Sequence, residues 1–405
     1  MKGCRGCGAS VFTKVLDLGK QPWCNDFLKY EDLGKEKLYP LCMIHCDECG
    51  LLQLNHTVSK EVMFADHQYL SGMTRTLVKH FYNIAKENKE QFKLQENDLI
   101  VDIGGNDGSQ LLQYKKLGLD NVLNIESAAN ICEISEQVGI LTLNAFFNKT
   151  VAQSKFNKGS ARLINASGVF FHLEELHSVI EGIKYILSQD GVFIVQFMYA
   201  GAMIENHNFD TIYHEHLCYY TLRSLMNLLR PYGLEVFDAY HSDIHSGSII
   251  AKITHTDGDL NEKTERFALV LGQDMKYTLE EFLSFAKAVE GKKNNLRDLL
   301  IHLKSEGKKV YAYGAPAKGN TLLNYFGITK DLVAKAVEIN ELKIGNYLPQ
   351  SHIPITKESK SDLPDYYLLL SHNFAKEIIA KNQDIMEKGV KFILPFPEVE
   401  IVGAQ

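Results

Sequence analysis

The stretch Asp98-Leu99-Ile100-Val101-Asp102-Ile103-Gly104-Gly105-Asn106-Asp107-Gly108-Ser109 is an apolar run that opens into a turn with three glycines. Leucine, isoleucine and valine in a short run closed by glycines read as a buried strand, and the glycines mark backbone that turns sharply or approaches a ligand. A helical pattern follows through Leu111, Leu112 and Tyr114. A second strand, Val122-Leu123-Asn124-Ile125-Glu126, then ends in an acid 24 residues beyond Asp102. This is a βαβ unit with a carboxylate placed for ribose hydroxyls.

The turn lacks the G-x-G-x-x-G spacing of a dinucleotide fingerprint. Its acids, Asp102 and Asp107, suit a cationic nucleoside better than a pyrophosphate. S-adenosylmethionine (SAM) carries a sulfonium and an ammonium and meets that requirement. An ordinary βαβ turn with incidental glycines is the alternative. Outward from this unit, Arg162–Ser167 and Gly191–Gln196 read as strands, with helical periodicity from Glu174 to Leu187 between them. Leu234–Phe237 and Ser248–Ile253 resemble the last strand pair of a SAM-dependent methyltransferase sheet. The intervening helix starts at Thr221 and stops at Pro231-Tyr232-Gly233. Upstream, about Glu61 to Lys93 reads as helix through Leu77, Phe81 and Ile84.

Six of the eight cysteines lie in the first 49 residues, and four form matched C-x-x-C-G knuckles, Cys4/Cys7 and Cys46/Cys49. Two knuckles complete a closed four-sulfur shell, the usual structural zinc site, which folds a module and does no chemistry. Disulfides are disfavoured because Met1-Lys2-Gly3-Cys4 opens without an apolar signal region, which makes the cytoplasm the expected location. Cys24, Cys42 and His45 are spares of this module, read as core packing with substitution as a ligand as the alternative.

Between the fourth and fifth strand regions, after the strand ending near Gln196, lies Asn208-Phe209-Asp210-Thr211-Ile212-Tyr213-His214-Glu215-His216. Ligands bind beyond the carboxyl ends of strands in open α/β sheets, and imidazoles there titrate near working pH. General acid/base chemistry is the favoured reading, with Glu215 or Tyr213 orienting a histidine. H-E-H lacks the i, i+4 spacing that places two ligands on one helix face, which argues against a metal here.

The C-terminal third begins with polar helices from Asp257 to Glu306. It then alternates strands (Lys309–Gly314, Ala336–Ile339, Tyr366–Leu370, Lys391–Leu394) with helices, which implies a second parallel α/β domain. The turn Gly314-Ala315-Pro316-Ala317-Lys318-Gly319-Asn320 at a helix N-terminus suits a phosphate, held by backbone N–H groups and the Lys318 ammonium. A purely structural turn with a solvated Lys318 is the alternative. Three units are expected: a zinc module over 1–60, a SAM-binding Rossmann-like sheet over 61–256, and a second Rossmann-like domain over 257–405.

The 405 residues are 45% apolar and 23% charged, ordinary for a globular protein of two or three domains. A formal charge of −7 argues against nucleic acid or an anionic membrane as main partner. The longest uncharged stretch, Gly191 to Ile204, is 14 residues, short of the roughly 20 a membrane span needs. The expected partner is therefore a small molecule; a monomer is expected, with an oligomer left open.

The paired knuckles, the Asp102–Gly108 turn, Phe209-Asp210 to His216, Ile244-His245-Ser246-Gly247-Ser248 and Tyr313–Asn320 occur in one order along the chain. Together they resemble the nucleotide-sugar C-methyltransferase family of unusual-deoxysugar pathways, typified by sugar C-3-methyltransferases. The resemblance implies C-methylation beside the ketone of a 4-keto-6-deoxy nucleotide sugar, through a base-generated enolate. It implies His216 as base, Tyr213 and Glu215 as positioning or enolate-binding groups, and His172 as a proton relay. It places SAM on Asp102, Gly104, Asn106, Asp107, Gly108, Glu126, Ala166 and Ser167. It places the nucleotide sugar on Tyr69, His245, Ser246, Gly314, Pro316, Lys318 and Asn320. Departures from the family pattern are His67-Gln68-Tyr69 for Tyr-x-Tyr, Ser167-Gly168 for paired asparagines, Ser127 for proline and Gln196 for an acid. An O-methyltransferase or a non-catalytic zinc-module scaffold is the competing expectation.

Overall fold

The computed structural model describes residues 3–64, 70–244 and 247–404, and organises them around three sheets. The first is antiparallel: β1 (Phe12–Pro22), β2 (Leu38–Cys46) and β3 (Leu52–Leu54). The second contains β4 (Leu99–Ile103), β5 (Val122–Glu126), β6 (Thr142–Asn144), β7 (Ala161–Ser167) and β8 (Leu187–Met198) in parallel pairing. A two-residue strand, β9 (Cys218–Tyr219), leaves this region and pairs with β3, so the first sheet gains an edge from the middle of the chain. The last pair, β10 (Leu234–Ser242) and β11 (Ser248–His255), is antiparallel and closes the second sheet in the order β10-β11-β8-β7-β4-β5-β6.

The third sheet joins β12 (Val310–Tyr313), β13 (Ala336–Glu338), β14 (Ile355–Lys357), β15 (Tyr366–Leu369), β16 (Lys391–Leu394) and β17 (Glu400–Val402). Its order is β14-β13-β12-β15-β16-β17, parallel except for β17 at the edge. In both large sheets the first strand lies between the second and the fourth. Each therefore has a switch point, where loops diverge and leave a crevice. The fold class is the expected one, α/β with two Rossmann-like sheets and a small cysteine-bearing sheet.

Local sequence explains most elements. Thr221 caps the helix Leu222–Leu229 by accepting from Ser224 N–H, and a left-handed Gly233 ends the turn after it. The helix Arg75–Gln91 buries Leu77, Phe81, Ile84 and Ala85 at helical spacing. The single helix expected from Glu61 to Lys93 is instead a short helix Lys60–Phe64, a 3₁₀ turn Ser71–Met73 and then Arg75–Gln91. The break has a cause in distant chain: Ser71 N–H donates to Asn106 Oδ1 at 2.9 Å and Gly72 N–H to Asp107 Oδ2 at 2.8 Å.

A buried ion network fastens that helix to the sheet. Lys252, without exposed side-chain surface, meets Glu87 at 2.8 Å, and Arg266 joins Glu87 to Asp238. Removing Asp238, which like Lys252 has no exposed side-chain surface, leaves buried positive charge short of a partner and costs about 3–5 kcal/mol. No helix among the described residues is long and apolar enough to cross a membrane.

Candidate active site

The four knuckle thiols converge. Their sulfurs lie within 4.8 Å of one another, with Cys4–Cys49 and Cys7–Cys46 each at 3.6 Å. A tetrahedron with Zn–S bonds of about 2.3 Å has edges of roughly 3.8 Å, so the thiols fit zinc. Gly8 and Gly50, both at φ +76°, turn each knuckle, and their N–H groups donate to Cys4 and Cys46 carbonyls at 2.9 Å. Gln53 Nε2, at 3.1 Å, donates to Cys4 Sγ and tempers the thiolate charge. Cys24 and Cys42 stand outside the cluster as buried free thiols.

At the second sheet's switch point, the turn after β4 packs closely against its neighbours. A Cβ on Gly105 would lie 2.3 Å from Asn124 Oδ1 and 2.9 Å from Asp102, so only glycine fits. Gly104, at φ +67°, would meet Val169 at 2.7 Å. Asp102 is 1% exposed, and both its carboxylate oxygens are buried without a hydrogen-bond partner. Burial, and secondly the charge on Glu126, push its carboxyl up to about 7. A buried acid lacking a counter-ion fits a ligand bearing an ammonium. Glu126 Oε2 accepts from Asn106 N–H at 3.1 Å, and its Oε1 accepts from Ser127 and Ala128 at 2.7 and 2.9 Å. Asp107 instead braces protein, accepting from Gly72 and Ser109 N–H. Ala166 and Ser167 end β7 beside this turn, and Gly168 N–H donates to the Gln196 carbonyl at 2.9 Å.

The histidine loop lies one short step away. Val169, pressed on Gly104, accepts the N–H of His172 at 2.9 Å, so four residues join the glycine turn to an imidazole. His172 and His216 rings stand 5.0 Å apart, the Tyr213 ring is 3.9 Å from His216, and Phe171 meets His216 edge-on at 4.8 Å. His216 Nδ1–H donates to the Thr211 carbonyl at 2.7 Å, and His172 Nδ1–H to the Glu215 carbonyl at 2.6 Å. Because a carbonyl only accepts, each contact puts the proton on Nδ1 and the basic lone pair on Nε2. Burial first, and Glu215 next, push the Tyr213 hydroxyl well above its usual value.

Glu215 itself is held by the zinc-bearing module: Trp23 Nε1 and Asn25 Nδ2 both donate to its Oε1 at 2.6 Å. On the far side, Asp210 reaches into the third sheet's switch point, where His372 Nε2 lies 2.7 Å from its Oδ2 and Lys318 Nζ 3.2 Å from His372. Asn320 is buried and donates to the Cys24 carbonyl at 2.6 Å. Trp23, Asn25 and His80, whose Nε2 lies 2.8 Å from Gln196 Oε1, escaped the sequence reading. An indole and an amide two residues apart give no local signal of a partner about 190 residues away. Tyr69, His245 and Ser246 lie outside the described residues.

The third sheet repeats the cofactor turn nearly bond for bond. Gly104 N–H donates to the Ile125 carbonyl at 2.8 Å, and Gly314 N–H to Val337 at 2.9 Å. Glu338 then accepts from Ala315 N–H through Oε2 and from Ile339 and Asn340 through Oε1, as Glu126 does in the second sheet. A Cβ on Gly314 would meet Ser371 after β15 at 2.7 Å, as one on Gly104 meets Val169 after β7. Pro316 precedes the helix Ala317–Phe326 at its N-terminus.

Known proteins agree with this architecture. Residues 4–64 match the family described as "Putative zinc binding domain", 78–239 a methyltransferase domain, and 243–397 a C-methyltransferase C-terminal domain. The C-methyltransferase NovU of Streptomyces niveus is 32% identical over 99% of this chain and 97% of its own length. Solved structures overlap it more loosely. A SAM-dependent methyltransferase of Thermotoga maritima is 16% identical over 44% of this chain and 91% of its own, with a TM-score of 0.35. The YcgJ protein of Bacillus subtilis is 12% identical over 44% and 99%, also with a TM-score of 0.35. With a thiol tetrahedron, a methyltransferase sheet and a full-length relative in hand, the chain belongs to the C-methyltransferase family and is a SAM-dependent C-methyltransferase built on a structural zinc module.

Proposed function

We propose that the acceptor is a 4-keto-6-deoxy nucleotide sugar, methylated at the carbon next to the ketone, C3. The observation that carries this is the pair of imidazoles whose Nδ1 protons are tied to backbone carbonyls beside Tyr213. A hydroxyl acceptor is already nucleophilic once deprotonated, whereas a sugar carbon becomes so only when a base removes a proton acidified by a neighbouring carbonyl. SAM, when bound, supplies a methyl group on a sulfonium.

His216 Nε2 takes the C3 proton, and His172, 5.0 Å away, passes it outward. Tyr213 keeps its own proton at neutral pH, so its hydroxyl serves as the donor to the ketone oxygen as charge develops there. Phe171 keeps water from the face of His216. Glu215, fixed by Trp23 and Asn25, orients His172 through its backbone carbonyl. Asp102 and Glu126 take the ammonium and ribose ends of the cofactor, with Gly104, Asn106, Asp107, Gly108, Ala166 and Ser167 shaping its bed.

The repeated turn supports a nucleotide on the third sheet, with Glu338 facing the nucleoside hydroxyls as Glu126 does for the cofactor. Gly314 and Pro316 line that mouth, and Lys318 and Asn320 form its deeper wall. The test is incubation with SAM and a panel of 4-keto nucleotide sugars, read by mass spectrometry. A product heavier by one methyl group, with deuterium at C3 lost only in the presence of enzyme, supports the reading. Methylation that leaves C3 deuterium in place overturns it in favour of an oxygen acceptor.

A further inference from the structure

The histidine loop is gripped by the third sheet through two adjacent residues. Phe209 packs among Phe326 at 5.0 Å and Phe396 at 5.7 Å. Asp210, with no exposed side-chain surface, meets His372, which itself lies edge-on to Phe396 at 4.7 Å. Burial would raise the Asp210 carboxyl, but His372 and Lys318 overcome it and hold the group below the usual carboxylate range. Burial lowers Lys318, and Asp210 opposes that. A carboxylate buried as Asp210 is would be costly without its two basic neighbours, so the three stand as a set. One imidazole nitrogen cannot donate to a carboxylate and accept from an ammonium at once. With His372 Nε2–H given to Asp210, Lys318 contributes charge.

The residue after Asp210 is Thr211, whose carbonyl holds the Nδ1 proton of His216 at 2.7 Å. Both sit in, or adjoin, the 3₁₀ turn Phe209–Thr211. We propose that Asp210 is a positioning residue for methyl transfer: clamped by His372 and Lys318 of the third sheet, it fixes the turn that presents the Thr211 carbonyl and thereby selects the His216 tautomer with its lone pair on Nε2. The inference rests on reading His216 as the base. It also gives the C-terminal sheet a task besides holding substrate, because seating of that sheet and orientation of the base become one event. Lys318 and His372 flank the mouth in which a phosphate was expected, and Asp210 already supplies their anion. Among the described residues, His172, Tyr213 and Tyr219 face His216, with Phe171 as an apolar wall, and the Glu215 carboxylate accepts from Trp23 and Asn25.

Asp210→Asn and, from the opposite wall, His372→Phe test this in the full zinc-loaded chain labelled with ¹⁵N-histidine. The His216 signals are identified by their loss in His216→Gln. The wild type is expected to show His216 with its proton on Nδ1 alone, and each folded variant a mixture of both tautomers. Turnover should fall at least tenfold, with the SAM dissociation constant changed less than twofold. If Asp210→Asn fails to fold, His372→Phe decides, since its ring still fills the place beside Phe396. A single unchanged tautomer in a folded variant overturns the proposal. Full turnover in His216→Gln overturns instead the reading of His216 as base, and the tautomer measurement, which needs no acceptor, tells the two failures apart.

Discussion

His214 should make the fold sensitive to mild acid. It is 1% exposed, both ring nitrogens are buried without a hydrogen-bond partner, and its ring meets Tyr39 edge-on at 5.7 Å. Burial drives its pKa from 6.5 down to about 4, and the nearby backbone of Tyr39 and Pro40 offsets only part of that. A depressed imidazole means the unfolded chain binds more protons across that interval. Stability is therefore complete above about pH 6.5 and drains as pH falls towards 4, where the loss levels off. At pH 5 the linkage amounts to about 2 kcal/mol, against about 0.1 kcal/mol at pH 7.5. His214→Phe keeps a ring against Tyr39 and removes the titration. Urea unfolding of both proteins at the two pH values isolates the effect, because every other group, the thiol cluster included, titrates in both. The wild type should lose about 2 kcal/mol more than the variant between pH 7.5 and 5. Equal losses, within about 0.5 kcal/mol, would refute the argument that this ring is buried neutral.

Other perturbations read the remaining parts of the site. Asp102→Asn removes the orphaned charge while keeping its shape, so SAM affinity measured by calorimetry should fall roughly tenfold or more; an unchanged constant contradicts the assignment of the cofactor's ammonium. Trp23→Phe deletes a donor to the Glu215 carboxylate, and turnover should drop about tenfold, as loss of a charge-assisted bond predicts, with zinc content unchanged. Cys46→Ser should lower folded yield and bound zinc together, because the site contributes folding energy and no chemistry. A soluble Cys46→Ser protein with full zinc content would mean another ligand set.

Sequence-local features proved legible because their partners are near in the chain or fixed by spacing. The glycine after each knuckle takes the left-handed backbone that the motif requires, and the acid ending β5 meets the turn after β4 because a βαβ unit brings them together. Thr221 caps its helix for a reason readable in three residues. The contacts that define the histidine loop are of another kind. Trp23 to Glu215 spans 192 residues and Asp210 to His372 spans 162, and no periodicity encodes such pairings. The same limit explains the interrupted helix after Glu61. Its apolar spacing continues, yet Ser71 and Gly72 give their N–H groups to Asn106 and Asp107, and tertiary bonds override a weak local preference. Lys318 shows a third case. A lysine at a helix N-terminus reads as a phosphate ligand, and its line to Asp210 through His372 joins chain segments too far apart for any local pattern to reveal.

The pairing of β3 with β9 makes the metal-bearing sheet and the residues just after His216 a single hydrogen-bonded fabric. Anyone hoping to retarget this catalyst by swapping domains will find no seam there: a transplanted middle segment arrives with a ragged edge, and its histidines come adrift. Exchange of acceptor preference should succeed only where the first sheet travels with the loop it stitches down, so these pieces are to be engineered as one block.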